Sequence, residues 1–92
     1  EISDRLNDLA YYLIDKERNV NEGLELINKA LVSGPENYKY LHTKGWGLYK
    51  QNKYEEAIEI LEKGWNLRLI YDHPLFLHLE AAKKAVASQK NN

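Results

Sequence analysis

Few side chains in this 92-residue chain could take part in metal or redox chemistry, because it has three histidines and no cysteine. Without cysteine there is no disulfide, no thiolate ligand and no thiol nucleophile. Imidazole nitrogens can bind zinc, but the spacing of His42, His73 and His78 matches no zinc signature. We therefore expect no metal and no cofactor, with His73 in a turn or cap and the other two histidines on a surface or in a groove.

Motifs for phosphate binding and nucleophilic catalysis are also missing from the sequence. The Gly-Trp-Gly tripeptide at 45–47 lacks the third glycine of a nucleotide-binding loop and falls within a helical pattern. No serine lies in a nucleophile elbow. Ser3, Ser33 and Ser88 fall at predicted helix ends, where capping would explain them. These features predict a chain that is not an enzyme.

Composition and charge indicate one folded domain. Thirteen basic and 14 acidic residues give a formal net charge of −1, and 43% of the residues are hydrophobic, which is enough to form a core. The balanced charge offers no electrostatic footprint for nucleic acid or an anionic membrane. No apolar stretch approaches the roughly 18 residues of a membrane span. The chain has no methionine, even at position 1, which indicates a processed product or a piece of a longer protein.

Helices are the elements that must position any site in this chain. Apolar residues recur at helical spacing, as in Leu24, Ile27 and Leu31, and nothing alternates with a period of two for long enough to indicate a strand. Turn-forming residues interrupt the pattern at intervals. These signals predict an all-α chain of about five helices, over residues 3–16, 20–33, 37–51, 54–68 and 74–88.

The sequence repeats itself after 34 residues. Under this shift the apolar positions of the second helix fall on those of the fourth. Four charged residues meet identical partners: Lys16 with Lys50, Glu22 with Glu56, Glu25 with Glu59, and Lys29 with Lys63. A period of this length is typical of arrays of helical pairs.

One segment, GLYKQNKYEEAIEILEKG at 47–64, resembles a helix-turn-helix of the tetratricopeptide repeat family. The core slots of the second repeat hold Leu41, Gly45, Leu48, Ala57, Leu61 and Gly64. Those of the first, more divergent repeat hold Asn7, Ala10, Tyr11, Ile14, Gly23, Ile27, Ala30 and Pro35. The resemblance implies an α-solenoid of antiparallel helix pairs, with repeat one over 4–37, repeat two over 38–71, and a closing helix and tail over 72–92.

Small residues where two helices cross let the backbones approach closely. The resemblance gives this role to Gly45 and Gly64, and it places Gly23 where it would make room for the ring of Tyr11. Leucine in place of Gly64 is expected to overpack the contact with the closing helix. Gly47 has no such assigned neighbour, and it is either exposed or approached by a ligand.

The resemblance also implies a concave groove lined by the first helix of each pair. The family's groove positions correspond to Asp8, Tyr12 and Asp15 in repeat one and to Lys39, His42, Trp46, Tyr49 and Lys50 in repeat two. The closing helix adds three further candidates, His78, Ala81 and Lys84. The aromatic members either contact a ligand or pack between neighbouring helices. The Lys, Asn and Arg side chains with which some relatives hold a peptide carboxylate do not occur at these positions.

These features predict a non-catalytic module that binds a protein or peptide in the groove, without nucleic acid and without membrane insertion. The alternative is a structural role, as a spacer, as a brace against a neighbouring domain, or as a dimerisation element. Self-association through Tyr71, Phe76 and Leu77 belongs to that alternative, because these residues add apolar surface near the end of the array.

Overall fold

A computed structural model describes residues 1–90 and shows five α-helices, with no strand in that range. The helices are α1 (Ile2–Asp15), α2 (Val20–Ser33), α3 (Tyr38–Lys50), α4 (Tyr54–Leu67) and α5 (His73–Lys90). The predicted all-α class and the five helices are confirmed, and every boundary except the end of α5 falls within one residue of the prediction. The last two residues of the predicted tail, 91 and 92, lie outside the described part.

Side-chain caps explain where three of the helices begin. Asn19 accepts a hydrogen bond from the Glu22 amide at 3.0 Å, and Asn37 accepts one from the Lys39 amide at 3.0 Å. Asp72 accepts one from the Leu75 amide at 3.0 Å and so caps α5. Each bond satisfies an amide at the helix start that has no partner within the helix.

None of the serines supplies an N-cap, but the Ser33 hydroxyl, at the end of α2, donates a hydrogen bond to the Ala30 carbonyl at 3.0 Å. The Ser3 and Ser33 hydroxyl groups lie 2.6 Å apart and join the start of α1 to the end of α2. Ser88 lies within α5.

The turns within the two helical hairpins have the same local geometry. Glu17, between α1 and α2, and Asn52, between α3 and α4, both lie in the left-handed region, with φ of 53° and 65°. Each is the second residue after its helix ends. Asparagine tolerates this conformation, whereas glutamate incurs a cost of about 1 kcal/mol. The two turns therefore repeat one backbone conformation, at an offset of 35 residues, one more than the offset of the sequence repeat.

Helix α3 is the centre of the domain. Each helix packs against the next along the chain, and α3 contacts all four others. Eight of the 13 residues of α3 are buried, which no other helix approaches. Helix α5 packs on this core through Leu75, Leu79 and Ala82, three residues of a helical stripe. None of the five described helices is both long and apolar enough to cross a bilayer.

Close helix crossings account for the glycines of α3. A Cβ atom added to Gly45 would lie 2.5 Å from Cγ of Leu61 in α4, so the absence of a side chain is required by the hairpin crossing. A Cβ added to Gly47 would lie 2.6 Å from Cδ2 of Leu24 in α2. Gly47 is buried against that neighbouring helix and is neither exposed nor free for a ligand, so both alternatives drawn from the sequence are wrong.

The other two helical glycines have different neighbours from those predicted. A Cβ on Gly64 would lie 3.3 Å from the carbonyl oxygen of Tyr38, so Gly64 faces the start of α3 and not the closing helix. A Cβ on Gly23 would lie 2.7 Å from Cγ1 of Ile14. Gly23 therefore makes room for Ile14, and the ring of Tyr11 turns towards other partners.

Candidate functional site

Two histidines from the set predicted to line a groove join α3 to α5. Nε2 of His42 and Nδ1 of His78 lie 2.7 Å apart, a distance at which one ring donates a hydrogen bond and the other accepts it. His42 is only 7% exposed. The Tyr11 ring from α1 meets His42 edge-on, with the centroids 5.6 Å apart. Three helices thus contribute to one aromatic cluster, defined here as Tyr11, His42, Trp46, Tyr49 and His78.

Trp46 is held on several sides within this cluster. Its ring stacks on His78, with centroids 3.6 Å apart and planes inclined by 2°, and on Tyr49 at 4.6 Å. Its indole Nε1 donates a hydrogen bond to Asp15 at 3.1 Å. Trp46 of α3 is 8% exposed and packs against α1 and α5.

Lys50 lies at the edge of the cluster. Its ammonium group is 2.9 Å from the carboxylate of Glu17 and 4.9 Å from the centre of the Trp46 ring. Because Glu17 is largely exposed, the ion pair contributes little to stability. Its effect is positional, since it fixes a cation beside the indole.

A cavity of about 340 Å³ opens next to the cluster, between α1, α3 and the start of α5. Its lining consists of Asn7, Asp8, Tyr11, Lys39, His42, Thr43, Asp72 and Pro74. The Thr43 hydroxyl donates a hydrogen bond to the Asn7 side chain at 2.6 Å, which closes the floor between α1 and α3. Two carboxylates, from Asp8 and Asp72, and one ammonium group, from Lys39, give the cavity charge.

Burial and neighbouring charges change the acid–base properties of the cluster. Burial lowers the pKa of His42 below its ordinary value, against the opposing effect of Asp72 and Asp15. Burial, and then the positive charge that His42 can carry, lower the pKa of His78 to about 4. Burial and the same two aspartates raise the pKa of Tyr11. Both histidines are therefore neutral at pH 7.

A third polar contact joins α1 to α3. The Tyr40 hydroxyl donates a hydrogen bond to Asp4 at 2.6 Å, and Tyr40 is 3% exposed. This bond, with burial, raises the pKa of Tyr40 to about 12, because the hydroxyl proton is held by the carboxylate.

The predicted groove residues separate into three groups in the structure. Asp15, His42, Trp46, Tyr49 and Lys50 come together in or beside the aromatic cluster, as does His78. Asp8 and Lys39 line the cavity. Tyr12 is 49% exposed and lies apart from the aromatic contacts within residues 1–90. Ala81 and Lys84 of α5 belong to neither the cluster nor the cavity.

Sequence reasoning missed Tyr11, Asn7, Thr43 and Asp72 as residues of this site. Tyr11 stood in a slot that the tetratricopeptide pattern gives to a small core residue, and this oversized side chain was the available signal. Asp72 caps α5, and it also lines the cavity. A cap at a helix start can thus place a carboxylate in a neighbouring site.

No group of three or more metal-binding side chains converges within residues 1–90. The site therefore consists of an aromatic cluster and a small charged cavity. Compared with protein-family models, with curated proteins and with solved structures, the chain matches none of them.

Proposed function

We propose that this chain is a non-catalytic module, built like a tetratricopeptide array, that binds a protein or peptide segment on the face formed by α1, α3 and α5. An equal sequence separation of the contacts between successive first helices supports the array. The side-chain bonds Asp4–Tyr40 and Asn7–Thr43 join α1 to α3, and His42–His78 joins α3 to α5. All three pairs are separated by 36 residues, so the two steps from one first helix to the next have the same offset.

The cavity beside the aromatic cluster is the observation that carries the binding function. It is concave, it is walled by the Tyr11 and His42 rings, and it holds charged groups that could fix a ligand's orientation. The ion pairs within residues 1–90 join Lys50 to Glu17 and Lys83 to Glu62 and Glu80. Asp8 belongs to none of them, so its carboxylate is available to a ligand.

Charge favours a segment that carries an arginine or lysine side chain. Two carboxylates line the cavity against one ammonium group, and Asp15 adds a third carboxylate near the cluster. The aromatic wall suits a guanidinium group, which stacks on rings and pairs with carboxylates. A volume of about 340 Å³ is enough for a side chain and part of its backbone.

A peptide array tests this proposal. The array carries random peptides that have arginine, lysine, citrulline or glutamate at one fixed position, and the chain is applied at neutral pH. We expect retention on the arginine and lysine peptides. The double variant Asp8→Asn, Asp72→Asn should bind them about fivefold more weakly, which corresponds to about 1 kcal/mol for two partly exposed ion pairs. Asparagine at 72 keeps the oxygen that caps α5.

The matched control removes the same charge elsewhere. Glu25→Gln with Glu59→Gln changes exposed residues of α2 and α4 that do not line the cavity, and it should bind like the wild type. Equal retention of glutamate and arginine peptides, or unchanged binding by the aspartate double variant, would contradict a cationic ligand in this cavity. No retention of any peptide would contradict the binding function itself.

Self-association is a second candidate, because one end of the domain exposes apolar side chains. This end patch consists of Leu69, Ile70, Tyr71, Phe76 and Leu77, which are between 37% and 87% exposed. Tyr71 and Phe76 also contact Trp65, so the patch is continuous with a partly buried aromatic residue of α4. Covering such a surface would stabilise a dimer or a contact with a neighbouring domain.

A further inference from the structure

The hydrogen bond between His42 and His78 is the main polar link between α3 and α5. It is enclosed by other rings, since His78 stacks on Trp46 at 3.6 Å and Tyr11 contacts both histidines. The other contacts of α5 are mainly with α4: Leu75 and Leu79 pack in the apolar core, and the Lys83 ammonium group lies 4.0 Å from the Glu62 carboxylate. The two histidines therefore decide how the groove side of α5 is held, while the apolar side holds the helix in place.

The facing nitrogens, 2.7 Å apart, require a particular protonation state. When both rings are neutral, one N–H points at one lone pair. A first added proton leaves that arrangement intact but puts a charge on a buried ring. A second proton places two N–H groups against each other, and the bond cannot form.

We propose that the His42–His78 pair is an acid-sensitive latch, which holds the His78 ring over Trp46 at neutral pH and releases it when both rings become protonated. In the open state α5 stays on α4, and Trp46 becomes accessible to solvent. The groups that face the pair are Asp8, Tyr11 and Asp15 of α1, Lys39 and Lys50 of α3, and Asp72 before α5.

The direction of the pH effect follows from linkage. In the open state a solvated histidine has its ordinary pKa of 6.5, whereas in the closed state burial and His42 lower the pKa of His78 to about 4. The open state therefore binds protons more readily, and acid favours it between these two values. Asp15 and Asp72 oppose the shift, but do not cancel it. At pH 5 the His78 protonation alone favours opening by about 20-fold relative to pH 7.

The latch bears on ligand binding only if the proposed function holds, because His42 lines the cavity. Protonation of the pair adds positive charge to the cavity wall and should lower the affinity for a cationic ligand. The latch itself is tested without any ligand, so a negative result there leaves peptide binding at neutral pH untouched. Conversely, a chain that binds no peptide can still have the latch.

Acrylamide quenching of Trp46 fluorescence measures the opening. The measurement uses the Trp65→Phe chain, so that Trp46 is the only indole, with fluorescence lifetimes and circular dichroism recorded at each pH. Between pH 7 and pH 5 we expect the quenching constant to rise by about twofold or more, with unchanged helix content. His78→Phe, which keeps a flat ring over Trp46 without a titrating group, should abolish the rise.

Two further variants make the result specific. His73→Gln removes the third histidine, which contacts Tyr71 outside the cluster, and it should keep the wild-type profile. His42→Gln can donate to His78 or accept from it, so it should flatten the profile even if His78→Phe fails to fold. A flat profile in the Trp65→Phe chain, a rise that persists in both cluster variants, or loss of helix in step with quenching would each overturn the latch.

Discussion

At the scale of single residues, glycine is a packing device in this chain. Gly45 and Gly47 lie two positions apart in the middle of α3, where glycine lowers helix stability by about 1 kcal/mol relative to alanine. Both are kept small by a leucine from a neighbouring helix, Leu61 for Gly45 and Leu24 for Gly47. Leu61 is fully buried and Leu24 is only partly buried, so the Leu24 side chain can move away from an added methyl group more easily than that of Leu61.

This difference predicts unequal effects of the same substitution. Gly45→Ala should lower the free energy of unfolding by about 1–2 kcal/mol, because overpacking against Leu61 exceeds the gain in helix propensity. Gly47→Ala should lower the free energy of unfolding by less than Gly45→Ala does, because the end of the Leu24 side chain can move. Chemical denaturation of both variants checks the order. A Gly45→Ala chain as stable as the wild type would contradict the crossing described for α3 and α4.

At the scale of elements, the sequence predicts the helices well because their signals are local. Helical spacing and turn-forming residues mark each helix without knowledge of its neighbours. Contacts between helices were harder to predict. The partner of Gly64 was assigned to α5, but the structure places it against Tyr38 of α3. Crossing angles depend on both helices at once, and a single sequence does not report them.

Gly64→Leu tests the observed crossing of α4 on α3. A leucine there would press on the backbone carbonyl of Tyr38, which cannot move aside like a side chain. We expect a loss of about 1–3 kcal/mol in the free energy of unfolding, measured by thermal or chemical denaturation. Lys63→Leu is the control, because it adds the same side chain at an exposed position of the same helix. Equal stability of the two variants would contradict this crossing.

At the scale of the whole molecule, the described residues form an elongated body with extents of 44, 29 and 19 Å. The end patch around Ile70 exposes large apolar side chains, with Ile70 71% and Leu69 87% exposed. His78 of α5 covers Trp46 of α3, so this aromatic member of the predicted groove packs between helices, which is one of the two alternatives drawn from the sequence. The sequence pattern predicts which face of a helix lines the groove, but it does not predict whether another helix packs on that face.

The end patch predicts reversible self-association of the chain. In sedimentation experiments the average mass should rise with concentration towards that of a dimer, since exposed apolar residues gain free energy when covered. Ile70→Lys with Leu77→Lys should keep the chain monomeric. Val32→Lys, at an 85% exposed apolar residue of α2, should associate like the wild type. A wild-type chain that stays monomeric at all concentrations would remove this candidate function.

The order of contacts along the chain also affects how fast the domain folds. Backbone contacts join helices that are adjacent, or next but one, so no helix must wait for a distant segment before it can pack. Chains in which such local contacts dominate fold in about microseconds to milliseconds. Because α3 touches every other helix, a nucleus that contains α3 and its hairpin partner α4 already holds the surface on which the rest assembles.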